Sequence, residues 1–332
     1  MSRDRGPRWP RRLDRSALIA ASVTALFLTA SGCVVVHGER EILPSATRAE
    51  AVKALEKFTS AYNRADKAYD ASADAAYTTG ALGAIDAARL TAGRANNPDG
   101  NPSHQPLKLT DAKFTIPKKA GWPRWFVADA LGNKGGDLRW VLVFTRDGLD
   151  ETWQAAYLTL LSPDDVPEFR TDSDGWAEAV AADSERLAVP PAELSKEYAT
   201  YLQDGGDTFA PGAQTSAWRA QRAKATRPGL ATQYIDEPLT SGDFAPLALR
   251  TKDGGALVFF TTRHFEKQTA AQSASVPAPN KDVRALTDGE IKQSLTMEFV
   301  SNEVALNPAK GSGEDQVTVL ARVQGLTSAK GA

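Results

Sequence analysis

The 332-residue chain contains one cysteine, Cys33, and only three histidines. A single thiol cannot close a disulfide within the chain, and it cannot supply the several ligands of a cysteine-bound metal site. The formal net charge is −2, so the chain lacks the basic excess that attracts nucleic acid, and we expect no nucleic-acid partner. P-loops, nucleophile elbows, dinucleotide fingerprints and metal-ligand motifs are missing too, which disfavours an enzyme without excluding one. We therefore expect no metal and no cofactor.

Cys33 follows a segment that is typical of export signals. Residues 1–15 carry six arginines against two aspartates, residues 17–30 form an apolar run, and residues 30–32 are small. A basic start, an apolar run and small residues before a cleavage point describe a secretory signal. Without residues 1–32 the remaining chain carries a net charge of −6.

The sequence Ala-Ser-Gly-Cys at residues 30–33 resembles the lipobox of bacterial lipoproteins, which most often has Leu at the position of Ala30. The resemblance implies that Cys33 receives a diacylglyceryl group, that residues 1–32 are removed, and that the protein is held at the extracytoplasmic face of the cell membrane. Three valines after Cys33 extend the apolar stretch to about 20 residues, which leaves an uncleaved single-pass anchor open. A secreted protein without an anchor and a twin-arginine export route through Arg11-Arg12 are further alternatives.

The rest of the chain divides into a tether, 33–46, and two regions with the same order of elements. Each region begins with helical periodicity and continues with strands of period two. In the first region, 47–165, a capping-box sequence begins a helix at Thr47. A connector, 166–189, contains a predicted short helix at 176–186 and leads to the second region, 190–328. The predicted strands lie near 107–116, 124–130, 138–146, 152–161, 231–236, 244–251, 256–269, 294–306 and 316–326.

This repeated order predicts an α+β fold of two tandem domains, each with helices packed on a curved antiparallel sheet. The segment RWVLVFTRDG at 139–148 echoes GALVFFTTRH at 255–264. The order resembles the nuclear-transport-factor-2-like, or cystatin-like, fold, which implies a cone-shaped cavity between helices and sheet. Through the segment around Cys33, GWPRWFV and DGGALVFFT, the chain also resembles uncharacterised two-domain lipoproteins of actinobacteria. That resemblance implies a location and a fold but no chemistry.

Three tryptophans of the first region are candidate ligand contacts: Trp122, Trp125 and Trp140. Flat apolar sugar faces stack on aromatic rings, so these side chains point to cell-wall glycan as a partner. The alternative is that they belong to the hydrophobic core. Pro123 within GWPRW favours an edge or a bulge, where a ring is exposed.

Two further candidates carry charge or a titratable ring. Asp129 and Arg139 lie on neighbouring predicted strands, either as a charged pair facing a cavity or as a cross-strand surface pair. His264 lies in the strand ALVFFTTRHFEKQ as a candidate base or binding contact. The alternative is a half-exposed strand residue beside Arg263.

These observations favour an exported, membrane-anchored protein that binds a ligand or an envelope protein in a cone-shaped cavity without catalysis. A structural or assembly factor at the membrane surface is one alternative. An envelope hydrolase or isomerase-like enzyme, using His264 or a carboxylate in the cavity, is the other.

Overall fold

The structure is a computed structural model that describes residues 41–224 and 227–332. The predicted signal, Cys33 and most of the predicted tether lie outside the described residues. Ile42–Ala332 form one compact unit. Its described part is α+β, as the sequence predicts, with five helices and thirteen strands.

The elements alternate along the chain much as the periodicity indicates. The helices are α1 (Arg48–Ala68), α2 (Gly80–Asn96), α3 (Pro191–Asp204), α4 (Ser216–Lys224) and α5 (Lys281–Ala285). The strands are β1 (Leu43–Pro44), β2 (Leu109–Thr115), β3 (Pro117–Lys119), β4 (Arg124–Gly132), β5 (Arg139–Arg146), β6 (Gln154–Leu161), β7 (Ala177–Val180), β8 (Leu230–Leu239), β9 (Leu247–Arg250), β10 (Ala256–Ala270), β11 (Thr287–Asp288), β12 (Ser294–Asn307) and β13 (Thr318–Gly331).

Helix α1 begins at the predicted capping box. The hydroxyl of Thr47 accepts a hydrogen bond from the backbone N–H of Glu50 at 3.1 Å, and the Glu50 carboxylate accepts one from the backbone N–H of Thr47 at 2.8 Å. These bonds satisfy two N–H groups that a helix start leaves free. The helix then buries Leu55 and Phe58 against the first sheet.

The strands form two sheets. The first is antiparallel throughout and has the order β2-β4-β5-β6. The second has the order β1-β3-β7-β9-β10-β12-β13-β11, and β8 also pairs with β10. It is a mixed sheet, because β3 and β7 are parallel, and so are β11 and β13.

Four layers follow one another: α1, the four-stranded sheet, the nine-stranded sheet, and α3 with α4. Successive side chains of a strand point to opposite faces, so each sheet packs on both of its neighbours. On one face of the four-stranded sheet, Phe126 and Phe144 pack under α1 with Phe58. On its other face, Val127 and Val143 pack with Phe259 of the nine-stranded sheet. The next residue of β10, Phe260, points away from this shared core toward α3 and α4. Strand β10 is therefore buried on both faces.

The α+β class is confirmed, but the sheets do not divide by halves, because β3 of the first region belongs to the nine-stranded sheet. Two tandem domains of this kind stay a prediction, and the two sheets share a core. The domain boundaries at 165 and 190 stay a prediction.

Two local expectations differ from the structure. The helix expected at 176–186 is wrong, because β7 pairs with β3 and β9 there. Residues 43–44, expected in the tether, pair as β1 with Lys118 and Lys119. Both segments gain backbone partners from distant strands, which a local pattern does not reveal.

Because the shared core contains residues of both halves, we expect Trp125→Ala to destabilise both together. The side chain is 2% exposed in that core, and such a deletion costs about 3–5 kcal/mol. In full-length protein in nonionic detergent, hydrogen exchange should speed up in β5 and in β10 alike. Leu149→Ala, at a side chain 76% exposed, is the control and should change stability by less than about 0.5 kcal/mol. Faster exchange confined to residues 47–165 would indicate independent domains.

Candidate functional site

Polar side chains occupy one buried face of the nine-stranded sheet, beneath α3 and α4. Residues directly opposite each other on paired strands share a face. Ser301 on β12 lies opposite Thr262 on β10 and Gln324 on β13, and Glu303 lies opposite Arg322. The same face of β10 continues to His264. The polar cluster comprises Thr262, His264, Ser301, Glu303, Arg322 and Gln324.

Glu303 lies at the centre of the polar cluster and is 0% exposed. The Thr262 hydroxyl donates a hydrogen bond to its Oε1 at 2.7 Å, whereas Oε2 has no partner among the described residues. Burial raises the pKa of Glu303 to about 8, although the Thr262 bond and the Arg322 charge act in the opposite direction. At neutral pH the carboxyl group is therefore protonated and can donate a hydrogen bond from Oε2.

His264 lies four residues beyond Phe260 on the same face of β10 and is also inaccessible, with 3% exposure. Its ring stacks on Phe299, with centroids 4.8 Å apart and planes 9° apart, and meets the edge of Trp218 at 6.4 Å. Burial lowers its pKa to about 3, and the charges of Arg222 and Arg322 contribute. The imidazole is neutral at physiological pH. The expected half-exposed strand position is wrong, because α4 covers this face of the sheet.

Helix α4 covers the polar cluster and contains no buried residue of its own. The Arg222 guanidinium binds the Asp236 carboxylate through two hydrogen bonds, 2.7 and 2.9 Å. The Trp218 ring packs on the Arg322 guanidinium, whose carbon lies 3.9 Å from the ring centroid. The same ring also packs against the hydrophobic core beneath α3. Polar contacts and the packing of one aromatic ring therefore fix this cover.

Hydrogen-bonding groups at the cover and in the polar cluster are left unsatisfied. An unpaired buried polar group costs about 1–3 kcal/mol, and native proteins contain few of them. Several such atoms lie together on this sheet face and on its cover. Within the described residues, the buried unpartnered atoms here are Trp218 Nε1, Arg222 Nε, Ser301 Oγ, Glu303 Oε2 and Gln324 Oε1.

An open cleft of about 720 Å³ lies beside α4. It is lined by Gln203, Arg219 and Tyr234, and also by Arg222 and Asp236. Because the last two residues also hold α4 in place, the cleft ends at the cover of the polar cluster. The volume lies in the range of about 300–1,000 Å³ that suits a small ligand.

The predicted charged pair of Asp129 and Arg139 is formed in the structure. The Arg139 guanidinium binds the Asp129 carboxylate, and it also binds the Asp111 carboxylate at 2.8 Å. Arg139 and Asp129 lie on adjacent antiparallel strands. The same guanidinium donates to the backbone carbonyls of Asp111 and Asp129 at 2.9 and 3.0 Å. The pair is therefore a cross-strand one, but it is buried rather than on the surface, since Arg139 is 7% exposed.

The three candidate tryptophans do not meet on one surface in the described residues. Trp125 lies in the shared core. Trp140 is 6% exposed, contacts Tyr62 and donates its indole N–H to the Lys134 carbonyl at 2.9 Å. Trp122 is half-buried beneath Arg124. The core alternative accounts for Trp125 and Trp140, and a role of the three in glycan binding stays a prediction.

A second group of carboxylates lies between α1 and α2. Arg89 binds the Asp66 carboxylate at 2.8 Å and the Asp86 carboxylate at 2.7 Å. Burial and the neighbouring Asp86 raise the pKa of Asp74. His104 contacts Asp66 at 2.7 Å and ties the loop after α2 to α1. Nowhere in residues 41–224 and 227–332 do three or more His, Cys, Asp or Glu side chains gather as ligands for a metal ion.

Sequence reasoning found His264 but missed Glu303, Arg322, Trp218 and Arg222. A signal existed in the strands. Thr262 and Glu303 interrupt two apolar strands on the face that also carries Phe260. Thr262 faces Ser301 and Glu303 faces Phe260, so polar residues occupy neighbouring positions on one buried face. The covering residues gave no comparable signal, because α4 carries polar residues around its whole circumference.

Comparison with known proteins assigns the chain to a protein family. Residues 42–331 match the family described as a domain of unknown function, DUF8094. The chain belongs to the DUF8094 family. Among the described residues, no helix combines the length and the apolar character needed to cross a bilayer.

Relatives of this DUF8094 chain in Streptomyces are named as lipoproteins. An uncharacterised lipoprotein of Streptomyces coelicolor is 77% identical over 100% of both chains, and one of Streptomyces avermitilis is 60% identical over 100% of both. A second Streptomyces coelicolor lipoprotein is 29% identical over 61% of this chain and 59% of its own length. No solved structure matches the chain.

The buried carboxyl group predicts a pH-dependent effect of Glu303→Gln. Its pKa in the folded protein, about 8, exceeds its ordinary value of 4.5, so the folded state holds the proton more tightly. The destabilisation caused by ionisation of the carboxyl group in the unfolded state is therefore absent below about pH 4.5 and grows until about pH 8. Relative to the wild type, Glu303→Gln should gain up to about 1.4 kcal/mol of unfolding free energy per pH unit in that window.

Urea titrations of the full-length protein at pH 5 and pH 8 measure this difference. Glu298→Gln, on the same strand, controls for removal of a carboxylate from β12. An equal effect of Glu303→Gln at both pH values would contradict the raised pKa.

Proposed function

We propose that this DUF8094 protein is a lipid-anchored protein on the extracytoplasmic face of the cell membrane, where it binds a small polar ligand without catalysis. The ligand enters through the cleft beside α4 and completes the hydrogen bonds of the polar cluster. The observation that carries the proposal is the group of five buried, unpartnered polar atoms on one face of the nine-stranded sheet and its cover.

The five atoms that lack a partner among the described residues lower the stability of the protein. Each unsatisfied group costs about 1–3 kcal/mol, which is a large share of the stability of a typical protein. Apolar side chains of similar size would remove this cost. They would suit the surroundings, because the core there already contains Val258 and Phe260. A binding role gives a reason for keeping the polar groups: a bound ligand supplies their partners and recovers the lost free energy.

Binding is favoured over catalysis by the state of the histidine. A general base acts best when its pKa lies near the working pH. The pKa of His264 is lowered to about 3, so its proton-transfer chemistry is poorly matched to neutral pH. Its stacking on Phe299 suits a neutral wall of a binding site.

One observation favours the second candidate, an isomerase-like enzyme. The pKa of Glu303, raised to about 8 by burial, lies in the range that proton transfer uses. Glu303 would then act as a general acid or base on a bound substrate. Turnover lost in Glu303→Gln while ligand binding is retained would support that candidate over simple binding.

The location rests on the sequence around Cys33 and on the relatives. The lipobox-like residues 30–33 provide a cysteine for lipid attachment. Relatives that align over the whole chain are named lipoproteins. An envelope protein or cell-wall glycan as a further partner, and an assembly role at the membrane surface, remain alternatives.

Replacing Gln324 by methionine tests the binding role without knowledge of the ligand. Methionine has a similar volume and removes the buried, unpartnered amide oxygen, so Gln324→Met should raise the unfolding free energy by about 1 kcal/mol. The same variant should lose at least tenfold in affinity for whichever ligand emerges from a screen of polar metabolites and cell-wall fragments against the full-length protein.

The control variant is Lys196→Ala, at a side chain that is 66% exposed on α3. It should leave both stability and affinity unchanged. A Gln324→Met protein that is less stable than the wild type would show that the amide has partners and supports the fold. That result would remove the basis of the binding proposal.

The anchor has its own test. Cys33→Ala should move the protein from the membrane fraction to the soluble fraction and abolish labelling by a fatty-acid probe, since no sulfur remains to be acylated. Ser31→Ala, which keeps a small residue before the cysteine, should behave like the wild type. A Cys33→Ala protein that stays in the membrane would support the single-pass anchor instead.

A further inference from the structure

We propose that the group recognised by the polar cluster is a carboxylate of the ligand, held by Arg322, the indole N–H of Trp218 and the carboxyl group of Glu303. This inference rests on the proposed binding function and adds the chemistry of the ligand. It follows from two geometric properties of the site: buried donors without an acceptor, and a guanidinium, that of Arg322, without a carboxylate partner among the described residues.

Two of the five atoms that lack a partner among the described residues can only donate a hydrogen bond. Trp218 Nε1 and Arg222 Nε each carry a hydrogen and have no acceptor among the described residues, and neither atom can itself accept a hydrogen bond. The hydroxyl of Ser301 can donate or accept. Gln324 can turn its amide to present either an oxygen or an N–H₂ group. A ligand that satisfies this set must offer several acceptor lone pairs, as a carboxylate does.

The charges lead to the same conclusion. Arg222 is neutralised by Asp236, because both guanidinium N–H₂ groups bind that carboxylate. Arg322 has no carboxylate within 4.0 Å among the described residues, and its guanidinium lies against the face of Trp218. With His264 neutral, the site holds one uncompensated positive charge when Glu303 is protonated. A single negative charge on the ligand balances it in a region from which water is excluded.

Glu303 makes this preference depend on pH. In its acid form the carboxyl group donates a hydrogen bond to the anion. Once ionised, it loses that hydrogen and places a negative charge beside the ligand, so affinity should fall as pH rises through about 8. Burial also raises the pKa of Tyr198, which stays neutral across this range. The groups that interact with Glu303 are Thr262 on β10, Arg322 on β13, Asp236 on β8, Tyr198 on α3 and Tyr157 on β6.

Matched pairs of small probes test the inference on the full-length protein in nonionic detergent. Acetate and benzoate are the acids, and acetamide and benzamide are neutral probes of nearly the same shape. Binding is followed through the ¹⁵N–¹H signal of the Trp218 indole, which is assigned by its disappearance in Trp218→Phe. The acids should shift this signal and the amides should not.

Above pH 8 the affinity of the wild type for benzoate should fall about tenfold per pH unit, as expected when one proton is coupled to binding. Glu303→Gln should bind benzoate with no such fall, because the amide keeps its donor at every pH. Arg322→Gln should lose benzoate binding, and Arg322→Lys should restore part of it. These variants separate the charge of Arg322 from its packing against Trp218.

Each outcome decides a different point. If amides and acids bind equally, the carboxylate inference is overturned while the binding function stands. If no probe shifts the Trp218 signal at 100-fold excess over protein, the inference is also overturned, and the proposed function is then judged by the stability of Gln324→Met. A fall in benzoate affinity that persists in Glu303→Gln would assign the pH dependence to another group.

Discussion

Burial of β10 and β12 on both faces is the constraint on which the rest of the structure depends. One face of these strands packs on the four-stranded sheet through Phe259 and Val304, and the other lies beneath α3 and α4 with Phe260. Since side chains alternate between the two faces, polar residues in the segments covered on both sides, such as Thr262 and Glu303, are removed from water. Glu303 is the clearest consequence, because a carboxyl group at 0% exposure can keep its charge only at a high energetic cost.

The polar cluster therefore connects stability with the proposed function. Its unpartnered atoms lower the stability of the protein alone, and burial shifts the pKa of Glu303 upward and that of His264 downward. These opposite shifts have one physical cause, since burial disfavours the charged form of each group. The result is a site that combines these two groups with the Arg322 guanidinium, for which the described residues provide no carboxylate within 4.0 Å. Its cover, α4, is fixed by an ion pair and by the packing of Trp218.

Much of the fold was predictable, because its elements are long and periodic. The strands that became β5, β10 and β12 were found within two residues, and the capping box placed the start of α1 correctly. The errors fell on short segments such as β1 and β7, whose backbone partners lie far away in the chain. Of the candidate residues, His264 lies in the polar cluster, Asp129 and Arg139 pair across strands, and Trp125 and Trp140 are buried.

The sequence by itself determined the α+β class and the alternation that places Thr262 and His264 on one face of a strand, and it predicted an export signal ending at the lone Cys33. Those properties are local, since each depends on neighbouring residues. Only the tertiary structure decided that the two sheets share a core and that α4 covers the outer face. Only there do Glu303, Arg322 and Trp218, from three separate elements, become one site, because burial depends on what packs above a residue rather than on the residues beside it in the chain.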